Sequence, residues 1–366
     1  MPDYPSFLCM ADMAEAAGRH WGDALTAHVE EGGGADQTRR SNEAAFDRLR
    51  IWPRVLADVR QGHTALTLLG EAFAHPILLG PLAYQTALHP EGELATAEAA
   101  AAMDAGMVLS TLSSCSLEAV AAQLPSRKWF QLYFQASPDD TLRLLRRAEA
   151  AGYSALVVTV DVPVHGARLR SQKAGFVMPE QVRAVNLEGL SAAQTHYLQA
   201  YDSVIFQGHM ANAPRWESIA WLQQQTTLPI ILKGILHPQD ALQAQRLGLA
   251  GVVVSNHGGR ALDGSPASLA VLPQVRAAVG DDFMLLLDGG IRRGSDVFKA
   301  LALGAQAVLL GRPQAYGLGV AGALGVAQML RLLCEELELT MALAGCATLA
   351  DISPACLVNP NEFSTC

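Results

Sequence analysis

Aromatic residues are scarce in this chain, at 6% of 366, and charged ones make up only 17%, while half of the residues are apolar. A sizeable core is therefore available, built from Ala and Leu more than from rings, as suits helices packed on a sheet. A basic block is missing too. With 26 Lys and Arg against 35 Asp and Glu the formal net charge is −9, which argues against a nucleic-acid partner. The six cysteines (Cys9, Cys115, Cys334, Cys346, Cys356 and Cys366) form no CxxC pair and no metal-like spacing. They read as reduced thiols in a cytoplasmic protein, with no metal site. No apolar run approaches the ~18 residues of a membrane span, so no membrane partner is expected. Met1 to Phe7 has neither the charged nor the apolar part of a secretory signal, and Phe363-Ser-Thr-Cys366 is not a peroxisomal address.

What is there is an alternation. Residues 8–31 have a helical spacing of apolar side chains (Leu8, Met10, Met13, Ala17, Trp21, Leu25, Val29), ended by Gly32-Gly33-Gly34. A second helical piece runs from Asn42 to Leu49, and residues 55–75 resemble a short strand-and-turn lid. From Ile77 onward, eight short apolar runs alternate with helical segments: Ile77–Gly80, Met107–Ser110, Phe130–Phe134, Ala155–Asp161, Pro229–Gly234, Gly251–Asn256, Phe283–Asp288 and Ala307–Gly311. Eight such units predict an α/β fold, a parallel (β/α)₈ barrel. The expected organisation is an N-terminal helical extension and lid segment (1–76), standing apart from a barrel (77–350), and a C-terminal tail (351–366). The connection after the fourth strand, about 162–212, is too long for a simple loop and reads as an active-site lid.

In such a barrel the chemistry sits where strands end. Those ends read Pro81-Leu82-Ala83-Tyr84, Ser110-Thr111, Gln131-Leu132-Tyr133, Thr159-Val160-Asp161, Lys233-Gly234, Ser255-Asn256-His257-Gly258-Gly259-Arg260, Asp288-Gly289-Gly290 and Gly311-Arg312. Polar groups recur at nearly every one. After strands 7 and 8, glycines beside Arg292 and Arg312 suit a phosphate. FMN, pyridoxal phosphate or a sugar phosphate fits that pattern equally. Gly317-Leu-Gly319-Val-Ala-Gly322 matches GxGxxG but lacks the βαβ context of a dinucleotide site, and reads as packing at a helix start. His257 and Arg260, with Asp161 to orient the imidazole, suit removal of a hydroxyl proton from a carboxylate-bearing substrate.

The stretch Ser255–Asp263 resembles the active-site signature of the FMN-dependent α-hydroxy acid oxidases and dehydrogenases, which oxidise glycolate, lactate or mandelate. The resemblance covers most of the chain, through His89-Pro-Glu-Gly-Glu93, Trp129–Tyr133, Thr159–Asp161, Leu232–Ile235, Leu287–Gly294 and Gly311–Pro313. It implies oxidation of an (S)-2-hydroxy acid to the 2-oxo acid, with O₂ reduced to H₂O₂, in a homotetramer. It implies His257 as base and Asp161 as its partner, and Arg260 and Arg168 as a clamp on the substrate carboxylate with Tyr133 beside them. Lys233, Ser110, Gln131, Thr159, Ser255 and the Pro81–Ala83 backbone would serve the flavin ring. Asp288, Gly289, Gly290, Arg292, Gly311 and Arg312 would hold ribityl and phosphate.

Two positions depart from the family. Its first helix carries a substrate-contacting tyrosine a few residues before a Gly-Ala pair; counting back from Gly34-Ala35 places Glu30 there, with Glu31 alongside. Three readings are open: Glu30 faces away on a shifted helix, it is protonated or paired to an arginine, or it recognises a cation on an atypical, amine-bearing substrate. Leu112 stands where glycolate oxidisers have a large aromatic, and with Ala83 suggests a roomier pocket; the Tyr84-Gln85 and Glu93-Leu94 neighbourhoods look closer to mandelate-type members. A dehydrogenase using another acceptor, an oxidative decarboxylase and another FMN-dependent tailoring enzyme are the alternatives to an oxidase.

Overall fold

The structure, a computed structural model, describes residues 7–164, 166–192 and 197–358. Expectations for residues 1–6, for His165 and 193–196 of the long connection, and for 359–366 of the tail, Cys366 included, lie outside the described residues. A hairpin of β1 (Leu66–Leu68) and β2 (Glu71–Phe73) precedes eight parallel strands: β3 (Ile77–Leu79), β4 (Gly106–Leu109), β5 (Lys128–Leu132), β6 (Ala155–Thr159), β7 (Ile230–Ile235), β8 (Gly251–Val254), β9 (Met284–Asp288) and β10 (Ala307–Leu310). Each pairs with the next, and β10 closes on β3. This is the (β/α)₈ barrel that the alternation predicts.

Helices α1 (Met10–Glu30) and α2 (Gln37–Asp47) precede it; α3 (Gly92–Ala102), α4 (Leu117–Gln123), α5 (Pro138–Ala150), α6 (Leu169–Lys173), α7 (Trp216–Gln223), α8 (Pro238–Arg246), α9 (Ser268–Val279), α10 (Gly294–Ala302) and α11 (Arg312–Ala344) follow. Local signals set their starts. In α5, Ser137 accepts the Asp140 N–H and Pro138 occupies the first turn, where no N–H is needed, a cap of about 1 kcal/mol. α11 is long and apolar enough by composition to cross a membrane. It is broken at Ala321–Gly322 and packs against α1, α3 and α10, as a core helix of the outer layer. The GxGxxG sequence lies within it: a Cβ on Gly319 would overlap the Trp21 indole, so this glycine lets α1 and α11 meet.

Strand alternation divides the core in two. One set of side chains faces the outer helices; the other (Leu78, Val108, Trp129, Val157, Ile231, Val253, Leu286, Leu309) fills the barrel. Leu68 and Phe73 of the hairpin belong to this inner set. The hairpin bonds to residues at the starts of strands: Arg127 Nε donates to Ala72 O at 2.6 Å and Ser154 Oγ to Glu71 at 2.8 Å. The strand-and-turn read as a lid is thus a plug at the opposite, N-terminal end of the barrel. Leu68 and Phe73 are buried there, with Leu66 and Leu69 packed against the same cluster.

Candidate active site

Two residues beyond each inner apolar side chain comes the next inward position, at the C-terminal end of its strand: Gly80, Ser110, Gln131, Thr159, Lys233, Ser255, Asp288 and Gly311. Period-two geometry alone places them in one ring. Within the ring Lys233 Nζ donates to Ser255 Oγ at 3.0 Å and pairs with Asp288 Oδ2 at 2.9 Å. Burial works against the Lys233 charge, but Asp288 and Asp161 outweigh it and raise the ammonium pKa. Gln131 accepts from Ser110 Oγ and Thr111 N. A bulge after Lys233 is built on Gly234, at φ +108°, where a Cβ would overlap Asp161.

Above the ring the chain after β8 turns sharply. His257, Gly258 and Gly259 have φ of +58°, +63° and +77°, a left-handed run that costs a non-glycine residue of order 1–3 kcal/mol. Hydrogen bonds hold it: Ser255 Oγ accepts from His257 N at 3.1 Å and Asn256 Oδ1 from Gly259 N at 2.9 Å. Asn256 and Asn42 of α2 exchange two amide bonds of 2.8 Å, and a Cβ on Gly259 would collide with the Arg39 backbone. Farther along, Asp263 accepts from Ala35 N and Thr38 N, capping α2 from across the molecule. The N-terminal residues therefore do not stand apart; α1 and α2 are clamped onto the barrel mouth. Asn42 carried no sequence signal of this role.

His257 Nδ1 lies 2.9 Å from Asp161 Oδ1. Burial raises the Asp161 carboxyl, but His257 and Lys233 outweigh it and hold the group below the ordinary carboxylate range. His257 lines a cavity of ≈ 220 Å³ with Arg260, Tyr133 and Leu112, and with Pro81, Leu82, Ala83, Ser110, Lys233, Asp288, Gly289, Gly290, Arg292, Gly311 and Arg312. Asp161, Gln131, Thr159 and Ser255 are not in its wall; three of them support residues that are, and Thr159 is buried in the ring. Tyr133 is pushed up to about 12 by burial and keeps its proton.

Arg260 Nη1 donates to the carbonyls of His28, Val29 and Glu31, and Arg312 to those of Val29, Glu30 and Glu31, so both guanidiniums sit at the negative end of α1. Burial and neighbouring arginines push Arg260 down to about 9 and Arg312 to about 10. An anion arriving beside them relieves that repulsion. Arg168 is half-buried behind this wall, with Nη1 lacking a hydrogen-bond partner among the described residues and Glu31 as its nearest counter-charge.

Glu30 is not at the cavity. Its carboxylate accepts from Tyr316 OH and lines a separate cavity with Trp21, Arg39 and Glu43. Leu25, His28 and Val29 are the α1 residues that face the mouth. The reason is helical phase: residues two apart point about 200° from one another, so His28 and Glu30 lie on opposite faces. The Gly-Ala count placed the wrong residue there. Glu31 is 1% exposed and caps α6, accepting from Ser171 N at 2.9 Å and Ser171 Oγ at 2.6 Å. This contact, with Phe176 stacked on His28 at 4.1 Å and Met178 in the cavity wall, brings the start of the long connection over the mouth.

Comparison with known proteins agrees with this geometry. The model of the FMN-dependent dehydrogenase family matches residues 17–359. The chain belongs to that family. It is 52% identical to the L-lactate oxidase of Alicycliphilus denitrificans (strain DSM 14773 / CIP 107495 / K601), covering 94% of this chain and 93% of that one. It is 43% identical to the 4-hydroxymandelate oxidase of Amycolatopsis orientalis, over 93% and 95%. A solved mandelate oxidase with benzoyl-formic acid superposes with a TM-score of 0.87 at 40% identity, over 96% and 98%. The resemblance to FMN-dependent α-hydroxy acid oxidases holds, and FMN is the cofactor of this family.

The residues present fit FMN. Gln131 Nε2 and Asp288 Oδ1 are buried polar atoms without a hydrogen-bond partner among the described residues, in the ring where a flavin and ribityl chain need them. A Cβ on Gly311 would meet open space, and Arg292 and Arg312 stand at the same end for the phosphate.

Proposed function

We propose that this FMN-dependent enzyme oxidises (S)-2-hydroxy acids with an apolar side chain, L-lactate first among them, to the 2-oxo acid, and passes the electrons to O₂ to give H₂O₂. The observation that supports this most is the His257–Asp161 pair opening into one cavity with Arg260, Tyr133 and Lys233. With Asp161 accepting the Nδ1 proton, Nε2 is left to take the substrate hydroxyl proton, and Asp161 then holds the imidazolium. Arg260, with Arg168 behind it, draws the carboxylate, and Tyr133 donates its O–H. FMN, when bound, supplies the acceptor for the α-hydrogen and its electron pair. The Lys233 ammonium, buried on the floor, favours negative charge above it.

Leu25, Ala83, Leu112 and Met178 give part of the wall an apolar face, which suits an alkyl or phenyl substituent. The amine-bearing alternative loses its basis, since Glu30 is bonded to Tyr316. The functional unit we propose is the barrel, 77–350, completed at its mouth by α1 and α2 of the 1–76 extension, with 351–366 as tail, in a cytoplasmic homotetramer. The resemblance supports the tetramer; the five unpaired cysteines among the described residues support a reducing compartment.

The test is anaerobic mixing with L-lactate, glycolate and (S)-mandelate. Bleaching of the flavin by at least one, followed by one H₂O₂ per turnover on admitting O₂, is expected. No bleaching by any of them would overturn the hydroxy acid assignment, and bleaching without peroxide would favour a dehydrogenase.

A further inference from the structure

One polar side chain in the cavity wall has no part in the chemistry above. His28 sits in the last turn of α1, between Leu25 and Val29. Its ring is stacked on Phe176, 15° from parallel, which sets the plane of the imidazole. Nδ1 is 4.0 Å from Glu31 Oε1, and neither ring nitrogen is hydrogen-bonded to a described residue. Arg260 is bonded to the His28 carbonyl, so the ring and the guanidinium meant for the substrate carboxylate are immediate neighbours.

We propose that His28 is a specificity-determining residue that binds the substrate carboxylate as an imidazolium, taking up a proton from solvent as the anion enters. The inference rests on the hydroxy acid reading above. Without an anion in the cavity, burial and the charges of Arg260 and Arg168 hold the imidazole down at about 4, against the pull of Glu31, so it is neutral. The charged and titratable groups around it are Glu31 on its own helix, Arg260 and His257 from the turn after β8, Arg168 from the segment leading into α6, and Tyr133 after β5. Among these Glu31 is the lone anion next to His28, faced by the two arginines. A carboxylate within about 4 Å reverses the balance and is sufficient, at an effective dielectric near 20, to bring the group close to neutrality. The imidazolium then lies between two carboxylates, Glu31 and the substrate's, with Phe176 closing one face. A neutral substrate analogue of the same shape triggers no uptake, so discrimination between acid and amide is built into this residue as well as into Arg260.

The test uses FMN-loaded enzyme and pyruvate, which stays ionised throughout, with binding followed by the flavin absorbance. In wild type, affinity is expected to rise about fivefold from pH 7 to pH 6, with about one proton taken up per pyruvate at pH 6 by calorimetry in buffers of different ionisation enthalpy. In His28→Phe, which retains ring and stack, the affinity at pH 6 falls at least tenfold and the uptake disappears. In His28→Gln, which keeps a donor but cannot titrate, pyruvate binds with an affinity that no longer changes with pH. Proton uptake that persists in both variants belongs to His257 and overturns the proposal, as does a pH-independent wild type. Bleaching of the wild-type flavin by L-lactate is scored separately, so loss of the pH effect with bleaching intact sinks the His28 role alone, and absence of bleaching sinks the functional reading.

Discussion

The two walls of the cavity are built on different terms. The floor is the ring at the strand ends (Ser110, Lys233, Asp288), with the His257–Asp161 pair just above it. Each of these groups is held by the sheet or by a short hydrogen bond to its neighbour. The roof is the last turn of α1 and the segment 166–178, joined by Glu31 to Ser171 and His28 to Phe176. A floor fixed by eight strands suits reacting groups, which tolerate little displacement. A roof whose two parts meet mainly through side chains, Arg170 on Asp36 included, suits admission and choice of substrate.

If that division is right, damage to the floor appears in turnover and damage to the roof in binding. The largest expected effect is that of His257→Gln: kcat falls by about 10²–10⁴-fold while the FMN content, read from the visible spectrum, is unchanged. Asp161→Asn comes next, with kcat down roughly tenfold or more and KM nearly constant, because Nε2 remains in place but the imidazolium loses its counter-charge. A larger change in KM than in kcat for either variant would erase the distinction between the walls.

On the roof, Phe176→Ala is expected to raise KM for L-lactate about three- to tenfold through the lost stack, with kcat within about twofold. The pH dependence of stability is a smaller effect. Folding makes the His28 imidazole harder to protonate, so between pH 6.5 and about 4 the unfolded chain binds more protons. Stability is therefore complete above pH 6.5 and falls as the pH drops toward 4, by about 1–2 kcal/mol after allowance for the partial exposure of the ring. Thermal melts at pH 7.5 and pH 5 should show the difference, and His28→Phe should reduce it. The smallest effect is that of Glu30→Ala: loss of the bond to Tyr316 lowers Tm by a few degrees, while KM stays within about twofold. A large rise in KM would put Glu30 back on the roof.

The floor was legible almost residue by residue. Buried strands appear as short apolar runs, and the next inward position after each run is where a barrel exposes its chemistry; Lys233, Ser255 and Asp288 could be read that way, and the differences from the expected runs fall at strand ends. The roof was not. Asn42, His28, Glu31 and Phe176 act through partners 140 residues or more distant in the chain or through helical phase, and none belongs to a local pattern. The hairpin at 66–73 was readable as strand and turn, but nothing local says which end of a barrel it closes.

The sequence by itself determined the barrel, because strand alternation is local and acts over a few residues, and its resemblance pointed to the FMN family and to candidate reacting groups. Only the tertiary structure decided which residues of the last turns of α1 face the cavity. A helix turns about 100° per residue, and α1 is broken at Gly22, so the rotation of its last turns is set by what they pack on, here Glu30 against Tyr316. Counting back from a glycine pair cannot supply that phase, which the packing of α1 on α11 fixes.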